Sequence, residues 1–555
     1  MISRPSLALL AAGFVTSTAA ATAASNTGSS DSFGPTIGSA RENGPQIFNA
    51  IYNAMREFGS AVHHNGMSIF PGIVPEGVLL YHGTHTQEVP ESLEWLAFEI
   101  EHAQGFARPR PSHPRPPPGK DSPRDPPEFQ TPLQDVNHPL ELTIAMRDGP
   151  GGRPPPPPGE GEPSSPGYLH TYQATRPLKM LYIDGMSAGK TDMGTLDTQD
   201  LLLVTNRSRP GFGEWDRSKD LCNLAEEWGI DGLIRMEPGF EIIYCHFRDG
   251  LKLLSARAQA DREDPGSLTD PSMMMFQWAT AAAQRYHGIG GSRVVLDYSS
   301  MVSAFFYPVN LTNPDHERPE LPRLSQATDA ELATMRERIA HNSFMLEPHH
   351  ARHGVDWQGV TDMVVARYGD RLPFMAATDS PTLFRQEVNN LLNVYIDYAE
   401  EDEGLTAAKA RCSEYYLQPV SPRTPEDQLI HAGIESTLTT ICTALFDARK
   451  LVVEDPEADE PALAAGKEII QNLMAVLQWS KWKECGACKA DEVCFIAMWP
   501  FGNVEDHFHP SCLNVSSMSD RRSYWHMPGW GPPDHNRTRP QPPPPREGLV
   551  HQQQY

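Results

Sequence analysis

The string Gly185-Met186-Ser187-Ala188-Gly189 has the G-x-S-x-G pattern and follows an apolar run. On a sharp strand-to-helix turn such a serine can be a nucleophile, given a His base and an acid further along the chain. A serine hydrolase using Ser187 is therefore one reading, although Lys190 to Gly194 does not continue as an apolar helix. Gly189-Lys190-Thr191 ends like a phosphate-binding loop, but Asp184 stands where the first glycine belongs and would repel phosphate. Asp184, Asp192, Asp197 and Asp200 could gather round a hard cation, or be ordinary acidic loops. His349 and His353, with His350 between, have a spacing that binds zinc on one helix face, but Pro348 and Gly354 favour a loop. Cys485, Cys488, Cys494 and Cys512, with His507 and His509, could form a zinc knuckle. In an oxidising compartment two disulfides are the expectation instead, with three connectivities open. No metal cofactor is expected.

The elements that must hold such residues can be read from period and punctuation. Pro45 to Phe58 has Ile47, Phe48, Ile51, Met55 and Phe58 on one face and predicts a helix. Pro75-Glu76-Gly77 is turn chemistry, and Val78 to Tyr81 predicts a buried strand. Glu91 to Phe106 predicts a helix. Tyr168 to Ala174, Leu178 to Ile183 and Phe240 to Phe247 predict strands, and Asp220 to Trp228 a helix capped by Gly229. Beyond about residue 261 the pattern is helical. Thr328 and Glu331 form a capping box. Ser380-Pro381 and Thr424-Pro425 open helices, and Pro461 to Trp482 is another. Cys222, on a helix, and Cys245, on the next strand, are expected to pair. Cys412 and Cys442 then pair between helices, and the last four cysteines with each other.

The chain has 46 Lys and Arg against 71 Asp and Glu, a formal charge of −25. An acidic surface disfavours nucleic acid and anionic lipid, so neither is an expected partner. Arg4, the apolar run from Ser6 to Thr18 and Ala21-Thr22-Ala23 have the layout of a signal peptide. No later segment is expected to span a bilayer, and Gln552-Gln553-Gln554-Tyr555 offers no lipid-anchor tail. Sequons begin at Asn206, Asn310, Asn514 and Asn536. The 52 prolines concentrate in residues 107–166 and in the tail, where solvated polyproline II is favoured. The expectation is a secreted glycoprotein.

Several segments, in order, resemble the ADP-ribosyltransferase fold in its poly-ADP-ribose-polymerase-like branch. Gly77 to Thr84 (GVLLYHGT) is similar to that branch's opening strand, where a His-Gly pair receives NAD. Trp95 to Phe106 (WLAFEIEHAQGF) resembles the aromatic-small segment whose closing tyrosine stacks on nicotinamide; Phe106 keeps the ring and loses the hydroxyl. Tyr168 to Tyr172 and Leu178 to Ile183 resemble the central strand pair. Glu227 to Gly232 followed by Phe240 to Tyr244 resembles the segment that delivers the late glutamate. Glu241 holds that place by strand context, with Glu237 the neighbouring alternative. The resemblance implies catalytic His82 and Glu241, NAD held by His82, Gly83 and Phe106, and transfer of ADP-ribose to an unknown acceptor or hydrolysis of NAD. A non-catalytic secreted binding protein is the other reading.

The expected architecture is α+β: a small mixed-sheet N-terminal domain with a Pro-rich insertion, then a mainly helical half. The expected parts are a signal peptide (1–24), a linker (25–44), an α+β domain (45–260) interrupted at 107–166, a helical region (261–482), a Cys-containing segment (483–521) and a disordered tail (522–555).

Overall fold

A ten-residue strand, β1 (Asn65–Val74), is buried along its whole length. Nine more strands build on it: β2 (Leu79–Thr84), β3 (Glu94–Ala97), β4 (Tyr168–Ala174), β5 (Leu178–Gly185), β6 (Gly232–Glu237), β7 (Gly239–Tyr244), β8 (Leu251–Ala258), β9 (Val295–Leu296) and β10 (Val302–Ser303). Their order is β10-β1-β5-β6-β7-β3-β2-β4-β8, with β9 also on β1. Every pairing is antiparallel except β5 with β6. This computed structural model describes residues 33–107, 166–205, 213–259, 271–283, 293–346, 354–399, 405–454, 459–518, 521 and 524. The expected signal peptide, nearly all of the Pro-rich insertion and tail, the histidines 349, 350 and 353, and the sequons at Asn206 and Asn536 lie outside them.

The longer α-helices among the described residues are α1 (Ile37–Glu42), α2 (Gly44–Asn53), α3 (Glu57–Val62), α4 (Ile100–Phe106), α5 (Glu214–Trp228), α6 (Pro271–Ala283), α7 (Asp329–Phe344), α8 (Trp357–Tyr368), α9 (Arg371–Ala377), α10 (Pro381–Leu392), α11 (Leu405–Glu414), α12 (Pro425–Glu454) and α13 (Asp459–Leu477). The architecture is α+β, with a mixed sheet followed by a mainly helical half. Helix α12 is the hub of that half and packs on α1, α2, α10, α11 and α13. Its stripe of Ile430, Ile434, Leu438, Ile441 and Leu445 is fully buried. It is also long and apolar enough to cross a membrane by composition, which the sequence reading did not anticipate; most of that stretch is buried inside the fold.

Local signals held where they were chemically specific. Thr328 and Glu331 make both bonds of the capping box, and Gly229 closes α5 at φ +67°. Longer-range effects redrew other elements. The helix expected over Pro45–Phe58 breaks at Ala54–Arg56, where Met55 takes φ +56°. The helix expected from Glu91 is a strand over Glu94–Ala97, because its backbone pairs with β7; only α4 remains helical. The expected boundary at 260 is crossed by the sheet itself, since β9 and β10 pair with β1. From Gly34 onward the described residues form one compact unit.

Four disulfides are present: Cys222–Cys245, Cys412–Cys442, Cys485–Cys494 and Cys488–Cys512. The first two are the expected pairs, and the last four cysteines pair among themselves. The final pair of bridges ties a small hairpin of β11 (Val493–Phe495) and β12 (Ser511–Leu513).

Candidate functional site

Strands β6 and β7 form a tight hairpin with Pro238 at its tip, and Arg235 lies directly opposite Glu241. Alternation puts Arg235, Glu237 and Glu241 on one face. Three charged side chains on one face of otherwise apolar strands demand partners, because an unpaired buried charge is costly. Helices α4 and α5 and the loop after β5 supply them. Arg235 is fully buried and its guanidinium bridges Glu214 and Glu241, while Nη1 donates to Gln199 Oε1 at 2.9 Å. Lys190 Nζ lies 3.1 Å from Glu237 and 4.0 Å from Glu214. Arg217 joins Glu214 at 2.8 Å and Asp200 at 2.7 Å. His102 Nε2 sits 3.4 Å from Glu237 Oε1.

Lys190, Arg217 and Arg235 thus face Asp200, Glu214, Glu237 and Glu241. Charge balance asks for one more cation, and His102 moves toward that role. Burial pulls its pKa down, but the Glu237 carboxylate, aided by Glu241 and Glu99, outweighs it and the net shift is upward. The two hairpin glutamates are pushed apart. Burial would raise Glu237, yet Lys190 and His102 hold it below the usual range. Glu241 is raised by burial and by the charge of Glu237, against the pull of Arg235. Separated pKa values in a carboxylate pair are what acid–base chemistry requires.

Aromatic groups border this cluster. Trp278 stacks on His102 with ring centroids 5.1 Å apart, and its Nε1 donates to the Pro238 carbonyl. Lys190 lies 4.6 Å over the Trp499 ring. Phe106 is 40% exposed, with its ring 5.8 Å from His102. On the same face Trp95 meets Trp215 at 5.5 Å. One donor atom each of His102, Glu237 and Glu241 lie within 4.8 Å of one another, close enough to hold a metal ion. Lys190 pairs with Glu237 and Arg235 with Glu241, so the arrangement is that of an ion-pair network.

The four residues singled out from sequence divide between the two faces. Tyr81 pairs with Ala97, and Ala97 with Glu241, so these share a face. His82, next along β2, points to the other. There its Nδ1 bonds the Trp95 carbonyl at 2.7 Å, and its ring meets His170 and Phe247. His82 and Glu241 therefore do not line one cleft. Gly83 is on the Glu241 side, but a Cβ there would lie 2.0 Å from the Ala103 carbonyl oxygen. The glycine is needed for β2 to approach α4, which fills the space expected for a nicotinamide amide. Glu241 belongs to the polar cluster through Arg235, and Phe106 borders it through His102. Sequence reasoning missed His102, Lys190, Glu214 and Arg235. The readable signal was charge at alternate positions, Arg235 and Glu237, inside an apolar strand.

The other candidates resolve separately. Ser187 is 1% exposed and its hydroxyl donates to the Ile183 carbonyl at 2.8 Å, so it is a turn-closing residue and not an exposed nucleophile. Three of the four aspartates have other partners. Asp184 accepts from Ser68 N, Asp197 pairs with Arg323 and Asp200 with Arg217. Burial lifts Asp184 to about 7.

His82 has a consequence for acid stability. Burial depresses its pKa to about 4 from an ordinary 6.5. The unfolded chain binds the proton more tightly, so the contribution is intact above about pH 6.5 and is lost as pH falls toward 4. Between pH 7.5 and 5 this amounts to about 2 kcal/mol. His82→Gln should lose that part of the pH dependence, read as the change in urea midpoint between the two pH values.

Residues 39–277 match a family described as the YPL277C N-terminal domain. That span includes every member of the polar cluster. Two proteins of Saccharomyces cerevisiae are similar to this chain. "Uncharacterized protein YOR389W" is 24% identical over 549 residues, covering 84% of each chain. "Uncharacterized protein YPL277C" is 36% identical over 225 residues, 39% of this chain and 43% of that protein. No solved structure matches.

Proposed function

We propose that this is a secreted glycoprotein whose Glu237–Glu241 hairpin is a reaction centre for cleaving the glycosidic bond of NAD. The ADP-ribose then passes to an acceptor or to water. The observation that carries the reading is the buried pair of glutamates, one raised and one lowered in pKa, beside the half-exposed ring of Phe106. In the reaction the C1′–N bond breaks and nicotinamide leaves with the electron pair. Positive charge grows on the ribose, where a carboxylate is worth most. The incoming water or acceptor hydroxyl adds to C1′ and gives its proton to the pair. Phe106 supplies a face for the nicotinamide ring. His82 takes no part in the reaction. Secretion is supported by the signal-like start, by the four disulfides and by Asn310, an exposed sequon.

The binding-only reading draws on a specific observation: Lys190 and Arg235 already occupy the glutamates, and His82 faces away. Nicotinamide release and NAD affinity, measured together, separate the two. With the wild-type chain slow release is expected at millimolar NAD. Glu241→Gln should lower turnover by about 100-fold or more while affinity changes little. His82→Ala should leave turnover unchanged. Binding without release favours the binding protein; neither binding nor release ends the NAD reading.

A further inference from the structure

The four disulfides differ in setting. Cys412 and Cys442 are fully buried, and Cys222 and Cys245 nearly so. In the C-terminal pair of bridges Cys485, Cys488 and Cys512 are half-exposed. An accessible bridge is the first that a thiolate in solution can attack.

Three of the four sulfurs of these two bridges share one spot. Those of Cys485, Cys488 and Cys512 lie within 4.8 Å of one another, and that of Cys494 is bonded to Cys485. Cys485 and Cys488 have C-x-x-C spacing, and Cys494 lies directly opposite Cys512 in the hairpin. A tetrahedral zinc with four thiolates sets its sulfurs roughly 3.8 Å apart. The bonded sulfurs would have to part, while the Cys485 sulfur, no more than 4.8 Å from those of Cys488 and Cys512, is near enough to share one ion with them. The backbone N–H of Cys485 already points at Cys494 Sγ, at 3.0 Å, and such a donor favours a metal-bound thiolate.

The hairpin does not depend on its bridges alone. Val493, Phe495 and Leu513 pack into one apolar cluster with Met275, Phe276 and Trp278 of α6. That cluster holds the strands in place when the sulfurs part.

We propose that the Cys485–Cys512 segment is a redox-gated site for one soft divalent cation of the zinc class. Oxidised, it carries two disulfides. Two equivalents of a small dithiol then supply four electrons and four protons, leaving as cyclic disulfides and giving four thiols. One zinc ion binds the four sulfurs as four protons leave. This inference stands apart from the glutamate site.

The test uses the full chain. Mild dithiol under native conditions should free four thiols and leave the near-ultraviolet dichroism of the tryptophans in place. One equivalent of cobalt(II) should then give the charge-transfer band of a tetrathiolate centre, and zinc should erase it. Cys488→Ser should weaken cobalt binding by more than the roughly 10–100-fold that loss of an outer-shell partner costs. A chain lacking the core bridge, Cys222→Ala with Cys245→Ala, should bind cobalt as the wild type does. No band after reduction, loss of the near-ultraviolet signal, or an unchanged band in Cys488→Ser overturns the proposal.

Discussion

Replacing Arg235 with methionine is expected to destabilise the protein by about 3–5 kcal/mol. The arginine is wholly buried and joins Glu214 to Glu241. Methionine fills much the same volume, so the loss is not one of packing. It comes from leaving two carboxylates in a low-dielectric setting with Lys190 and Arg217 as their remaining cations. Lysine should rescue only part, because one ammonium cannot reproduce a fork that reaches both partners. The double variant Arg235→Met with Glu241→Gln should recover part of the loss, since one stranded charge is gone. The wild-type contribution has a pH signature. Glu214 is held far below the ordinary carboxylate range, because Arg235, Lys190 and Arg217 outweigh its burial. That stability is therefore present above about pH 4.5 and is lost as the solution becomes more acid. Urea midpoints of the three variants at neutral and acid pH decide the matter. A midpoint for Arg235→Met within error of wild type would mean that the cluster is solvated.

Removing the Cys412–Cys442 bridge, with both residues changed to alanine, should cost roughly 3–4 kcal/mol. The bridge links α11 to the hub helix α12 over a sequence separation of 30 residues, and closing a longer loop removes more entropy from the unfolded chain. Alanine is the informative replacement because both positions are fully buried; serine would add a buried hydroxyl with its own cost. The Cys485–Cys494 bridge spans only 9 residues, so its removal should cost about 1 kcal/mol less. Thermal or urea unfolding of the two double variants ranks them. A larger loss for the shorter loop would show that native contacts, not chain entropy, govern these bridges.

Much of the helical half was readable because its signals are local. A threonine three residues before a glutamate, a proline at the first turn and a glycine after the last each act through atoms within a turn of one another. The strands were harder. β1 carries Pro71 and Gly72 and is buried on both faces, so it shows neither alternation nor a clean apolar run. β3 passes for a helix because its four residues have no period of their own; pairing with β7 decides its backbone.

For the site, sequence alone determined which chemistry was available: a carboxylate near Glu237 and Glu241, an aromatic at Phe106 and cysteines able to bridge. It also determined that consecutive residues on a strand face opposite ways. Which way is a matter of register, and register is set by partners far along the chain. Tyr81 came to oppose Ala97, and that one pairing turned His82 away from Glu241. The cations that make the glutamates tolerable came from α5, the loop after β5 and the hairpin itself. A charge network drawn from such distant segments has no sequence spacing, because what couples its members is electrostatic attraction across a shared buried space.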